Sequence, residues 1–171
     1  MTDYWKERET LGYYVLVRAW LNMLSIPLHA MDTSALLDVG CLDTPTATWG
    51  YFNHRYTVDL EHDPKLAGVV SHVGSFLEWT PPHRMTVVTC LQVLEHLPDD
   101  QIRLFADKLL SCADHTIVSV PYEWPKGDEP AHLQDPISQA KFEQMMGRPP
   151  LEQVIVHDGK RLRIVARWEN L

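Results

Sequence analysis

Apolar residues recur at helical spacing near the start of the chain. Tyr13, Val17, Trp20, Leu21 and Leu24 fall on one face of a helix predicted over residues 4–25, and Pro27 closes it. The pattern then changes. Ala35-Leu36-Leu37-Asp38-Val39-Gly40 is a short apolar run ending in glycine, the mark of a strand covered on both faces. Residues 55–59, 69–73, 85–90 and 116–120 predict four more strands, the last stopped by Pro121. Residues 45–52 predict a brief helix with Pro45 in its first turn. Residues 99–112 predict a full helix with Ile102, Phe105, Leu109 and Leu110 as its buried stripe. A further helix is predicted from Asp135-Pro136 through Met146, with Asp135 as N-cap and Pro136 in the first helical position. Residues 151–157 and 162–168, separated by Asp158-Gly159, read as a closing hairpin.

Strands alternating with helices and then a terminal hairpin predict an α/β fold. It is a Rossmann-like, doubly wound, mostly parallel sheet with helices on both faces. The segment between Asp59 and Val69 is too short for a full helix, so one crossover is a turn or a stub and the fold is a trimmed one. Such sheets bind ligands beyond the carboxyl ends of their central strands. The chain reads as one domain over residues 1–171, with an N-terminal helix or lid in 1–30 and a core in 35–171. Residues 121–136, rich in proline and charge, form a loop too long to be a mere connector.

Composition narrows the function classes. With 171 residues, 45% of them apolar, the chain can bury a continuous core. Its 15 Lys+Arg against 23 Asp+Glu give a net charge of -8, which argues against a broad phosphate-binding face and hence against nucleic acid as partner. Cys41, Cys90 and Cys112 are odd in number and show no CxxC spacing, so they read as reduced thiols of a cytoplasmic protein. The polar first ten residues do not read as a signal peptide. Residues 11–24 contain Arg18 and Asn22 and are too few to span a bilayer, so no membrane partner is expected. The closing hairpin suits a monomer and a dimer equally.

The run Leu37-Asp38-Val39-Gly40-Cys41 resembles motif I of the class I S-adenosylmethionine (SAM)-dependent methyltransferases. The resemblance extends to Asp59, which ends the next strand about 20 residues on, the usual spacing of a ribose-binding carboxylate. It continues at Gly74-Ser75-Phe76-Leu77-Glu78-Trp79 and at Cys90-Leu91-Gln92-Val93-Leu94-Glu95-His96-Leu97. These matches come in the family's order and cover roughly residues 35–120. The resemblance implies SAM as cofactor and assigns Asp38, Gly40, Cys41, Asp59, Leu60, Ser75, Phe76, Leu91 and Gln92 to its surroundings. It also implies a helix closing over the site from the N-terminus, where Arg8 is a candidate partner for the methionine carboxylate and Tyr13 or Tyr14 for the pocket wall. The alternatives are structural: Asp59 as a strand cap, Arg8 as a solvated surface charge. The family's loop usually runs Gly-x-Gly, but here Leu42 stands at the second glycine, and Ser75 stands where Asp is common.

A methyl group on a sulfonium is already activated, so a general base is needed only when the acceptor must lose a proton. His132 in the long loop and His96 after the fourth strand are the candidates, since imidazole titrates near neutrality. His54, His62 and Asp63 match no metal-ligand spacing. Glu95-His96 has no further ligand beside it in sequence, so no metal is expected. An NAD-dependent oxidoreductase is disfavoured by the missing GxGxxG. The expected function is methyl transfer from SAM to a small metabolite or biosynthetic intermediate. The alternative, prompted by Leu42, Ser75 and the trimmed helices, is a catalytically degenerate relative acting through a partner.

Overall fold

The computed structural model describes residues 3–27, 32–159 and 161–170. The remaining positions, among them the last part of the predicted 1–30 segment, lie outside the described residues, as do the side chains of Asp3 and Tyr4. Seven strands form the framework: β1 (Ala35–Val39), β2 (His54–Asp59), β3 (Val70–Val73), β4 (Met85–Leu91), β5 (Ala113–Pro121), β6 (Glu152–Asp158) and β7 (Arg161–Glu169). They make one sheet in the order β3-β2-β1-β4-β5-β7-β6. The first five are mutually parallel, and β7 alone runs against them, antiparallel to both β5 and β6.

Side chains alternate across this sheet, and each face has its own cover. Leu36, Val87, Ile117 and Val165 point to helix α2 (Gly12–Ser25), where Tyr13, Val17 and Leu21 meet them together with Trp49 and Phe52. Leu37, Val88 and Val118 point the other way, to Ile102, Phe105 and Leu109 of α3 (Asp99–Cys112) and Phe142 of α4 (Gln139–Met146). Because β1 is covered on both sides, all five of its residues are buried, including the ionisable Asp38. Each large apolar side chain so enclosed contributes roughly 1.5–3 kcal/mol. The helix over 99–112 forms as predicted, although Leu110 is only partly buried and Ala106 fills the stripe beside Phe105. No helix joins β2 to β3. Among the described residues, no helix is long and apolar enough to cross a membrane.

Three local expectations change. The predicted helix over 4–25 is two helices, α1 (Asp3–Lys6) and α2, separated by residues 7–11. Leu11 is extended, and the Gly12 N–H donates to Asp158 Oδ1 at 2.6 Å. A Cβ on Gly12 would stand 2.6 Å from a Val156 methyl, so the chain approaches β6 here in a way a continuous helix does not permit. The segment over 45–52 holds only a 3-10 turn, Thr46–Thr48. The last helix begins at Gln139, not at Pro136: Ser138 caps it by accepting from the Lys141 N–H at 3.1 Å. Asp135, the predicted cap, turns its carboxylate to His132 instead, and the Asp135-Pro136 peptide is cis.

Candidate functional site

The register of the central strands puts Val39 beside Val58 and Cys90, so the residues that follow, Gly40, Asp59 and Leu91, leave the sheet side by side. Two adjoining hollows open there. One, about 290 Å³, is bordered by Leu60, Ser75, Phe76 and Phe105. The other, about 250 Å³, is bordered by Tyr14, Asp38, Cys41, Leu42, Leu91 and Gln92. Gly40, Asp59, Val93 and His96 belong to both walls, which makes them one cleft at the carboxyl edge of the sheet. A larger hollow, about 750 Å³, lies at the opposite edge among His54, His83 and His115, and none of the predicted site residues borders it.

Glycine at position 40 is required twice. Its φ of 71° lies in the left-handed region, and a Cβ would stand 2.3 Å from a Val93 methyl. The Gly40 N–H donates to the Val58 carbonyl at 2.8 Å, which ties the loop to β2. Leu42 adopts a glycine-like backbone with φ 46°, so the loop keeps a Gly-x-Gly path while placing a side chain on the cleft wall. Its N–H donates to Asp59 Oδ2 at 2.8 Å, while Asp59 Oδ1 accepts from the Glu61 and His62 N–H groups at 3.1 and 3.0 Å. Partial burial pushes the Asp59 carboxyl up, but these three donors and the neighbouring His62 outweigh it and hold the group below its ordinary range.

Asp38 is in the opposite condition. Thr89 Oγ1 donates to its Oδ1 at 2.7 Å, but Oδ2 is buried without a partner. Burial, with the nearby Asp59 charge adding to it, pushes this carboxyl up to about 7 against the opposing hydroxyls of Thr89 and Thr44. Burial likewise raises the thiols of Cys41 and Cys90, and that of Cys112 to about 11, so none is a ready nucleophile.

On the β2–β3 side of the cleft, Phe76 meets Phe105 at a ring separation of 5.0 Å, and Leu60 is exposed. On the β4 side, Gln92 has φ 59°; its amide donates to Ser119 Oγ at 3.0 Å and its Oε1 accepts from Arg163 Nε at 2.9 Å. Arg163 in turn pairs with buried Asp158 at 3.2 Å and lies 4.8 Å over the Tyr13 ring. Tyr14 therefore reaches the cleft, whereas Tyr13 lies beneath Arg163. Arg8 is not on the wall of either hollow; it stands 3.8 Å from Glu7.

The two candidate bases meet. His96 borders the cleft, its ring 4.8 Å from that of His132, which is stacked on Trp124 and largely enclosed. His96 Nδ1 lies 3.0 Å from the Ala131 carbonyl, and His132 Nδ1 lies 2.6 Å from Asp135 Oδ2. Both acceptors take a hydrogen, so in the neutral form of each ring the proton sits on Nδ1 and Nε2 is the acceptor. Beside them stands Glu95, fully buried, with neither carboxylate oxygen hydrogen-bonded. Burial pushes its carboxyl up to about 8, opposed by its own backbone N–H and by Arg163. The sequence shows Glu95 beside His96; it does not show that the long loop, pinned by the Leu133 and Gln134 N–H groups to the Glu95 carbonyl, returns His132 to them. The roles of Arg163 and Asp158 also escape a reading of motifs, since they lie in the closing hairpin, far along the chain from the cleft loops.

No family model and no curated protein matches the sequence. Solved structures do match. The 1,6-didemethyltoxoflavin-N1-methyltransferase of Burkholderia thailandensis, with bound 1,6-didemethyltoxoflavin and S-adenosylhomocysteine (SAH), superposes with a TM-score of 0.73 at 16% identity, covering 98% of this chain and 81% of that one. The N-methyltransferase NodS of Bradyrhizobium japonicum WM9 gives 0.68 at 14% identity over 92% and 96%. Magnesium protoporphyrin IX methyltransferase of Synechocystis PCC 6803, with bound SAM, gives 0.66 at 16% identity over 98% and 84%. With its strand order, its single reversed strand and these superpositions, the chain has the fold of the class I SAM-dependent methyltransferases.

Proposed function

We propose that the chain binds SAM in the cleft around Gly40 and transfers its methyl group to a small-molecule acceptor. The observation that carries this reading is the free Oδ2 of Asp38, enclosed and without a counter-charge on the cleft wall. A buried carboxylate of that kind is stabilised by a cationic ligand, and the ammonium end of SAM is one. Asp59 Oδ2 accepts a single N–H and keeps a lone pair for a ribose hydroxyl. Leu60, Ser75 and Phe76 flank the space suited to a flat base, and Cys41, Leu91 and Gln92 flank the methionine side. The toxoflavin and magnesium protoporphyrin methyltransferase structures carry SAH and SAM, which supports the same ligand here.

SAM supplies a methyl group already activated by its sulfonium charge. The residues of the cleft contribute alignment and the exclusion of water. Where an acceptor must lose a proton, His96 borders the cleft and its neutral imidazole can take it, while His132, held by Asp135, packs edge-on against that ring. The net charge of -8 favours a small acceptor over RNA or DNA. A second reading, a catalytically silent relative, draws on two observations: Asp59 is already engaged by three N–H groups, and Leu42 borders the cleft at the position of the family's second glycine.

Incubation with methyl-labelled SAM and a small-metabolite extract separates the two. Label in the small-molecule fraction, reduced in His132→Ala at unchanged SAH affinity, is the expected result. SAH binding with no label in any fraction favours the silent relative.

A further inference from the structure

The carboxylate of Glu95 and the imidazoles of His96 and His132 bring one ligand atom each to within 4.8 Å of one another. We infer that these three residues hold a divalent transition-metal ion, of the Zn²⁺ or Mn²⁺ kind, at the edge of the cleft. This goes beyond the methyl-transfer reading and does not depend on it.

Three independent features point the same way. Glu95 is fully buried, yet both of its oxygens lack a hydrogen-bond partner, although a buried carboxylate normally finds several. Each imidazole has its Nδ1–H fixed by an acceptor, a backbone carbonyl for His96 and the Asp135 carboxylate for His132. That is the outer-shell arrangement that fixes the tautomer of metal-bound histidines and presents Nε2 to the ion. The ligand set, two imidazoles and one carboxylate, suits first-row transition ions better than Mg²⁺ or Ca²⁺, which prefer all-oxygen surroundings. Ligands about 2.0–2.2 Å from one ion stand closer together than this cluster does, so it contracts slightly on loading.

The position of the cluster gives the ion an outlet. His96 is exposed and borders the cleft, whereas Glu95 and His132 are enclosed behind it. Coordination positions left by three protein ligands therefore face the cleft and are free for water or for an oxygen or nitrogen of the acceptor. In the loaded state the two imidazoles serve as ligands rather than as proton acceptors. Asp135, which lies one step out, is a positioning residue.

The test uses the full chain, stripped with a chelator and titrated with MnCl₂ and ZnCl₂ by calorimetry, with Mn²⁺ spin resonance as a second readout. Binding of SAH is measured on the same samples. The inference predicts one ion per chain, lost in His96→Ala, and weakened about 10- to 100-fold in Asp135→Asn. His96 is exposed, so its replacement leaves the fold intact, and a circular dichroism spectrum and melting temperature matching the metal-free parent show it. His157→Ala, an exposed histidine on β6, should bind the ion as the parent does. Absence of stoichiometric binding, or binding that His96→Ala leaves unaltered, overturns the inference. SAH binding then reports separately on the cofactor cleft.

Discussion

Asp38 carries a cost that the fold alone does not repay. Its carboxyl, pushed up to about 7 by burial, is uncharged in the folded state where it would be charged in the unfolded one. A raised acid contributes stability that is complete below the unfolded value near 3.8 and is lost as pH rises through about 7. The full loss is about 4 kcal/mol at 1.36 kcal/mol per unit. Asp38→Asn should remove that slope: denaturant titrations from pH 4 to pH 8 should show the variant gaining on the parent as pH rises. A constant difference would place the charge elsewhere. Leu42 is a second residue-scale cost, since its backbone occupies the region that glycine favours. Leu42→Gly should exceed Leu42→Ala in stability by about 1 kcal/mol, the reverse of the order at an ordinary position. Gly40 and Asp59 were legible in the sequence because each depends on its own strand end. The free oxygens of Asp38 and Glu95 were not, because a missing partner is a property of the surroundings.

Elements far apart in the chain converge on two ion-paired side chains. Asp158 accepts from the Gly12 N–H at the start of α2 and pairs with Arg163, which reaches on to Gln92 after β4. This joins the N-terminal helix, the closing hairpin and the cleft wall. Both partners are largely enclosed, so breaking the pair leaves a charge buried and alone. Arg163→Ala should cost about 3 kcal/mol in thermal or denaturant unfolding, and a surface-like loss below 1 kcal/mol would show that the pair is dispensable. Hydrophobic period with glycine, proline and Asp-Gly punctuation located the strands, the helix over Asp99–Cys112 and the hairpin, since those elements follow from local sequence. It could not locate the break before Gly12 or the late start of α4. The first is set by a bond across 146 positions, the second by Asp135 choosing His132 over the helix.

Seven strands, one of them reversed, bring Gly40, Asp59 and Leu91 to one edge of the molecule, and α2 lays Tyr14 beside them. A mostly parallel sheet covered on both faces was implicit in the alternation of elements, but the order of its strands and the continuity of the two hollows, which depends on side chains from four loops, emerge only in three dimensions. A ligand that fills the cleft stabilises the whole molecule by mass action, by about 2.7 kcal/mol at a hundredfold excess over Kd. SAH should therefore raise the melting temperature of the full chain in a concentration-dependent way. Calorimetric titration of SAH into the parent and Asp38→Asn shows whether this cleft is a cofactor site gripped by Asp38. One site per chain with micromolar affinity, weakened at least about tenfold in Asp38→Asn by loss of a charged contact, is the predicted result. No heat and no melting shift in the parent, or equal binding by both proteins, would contradict it.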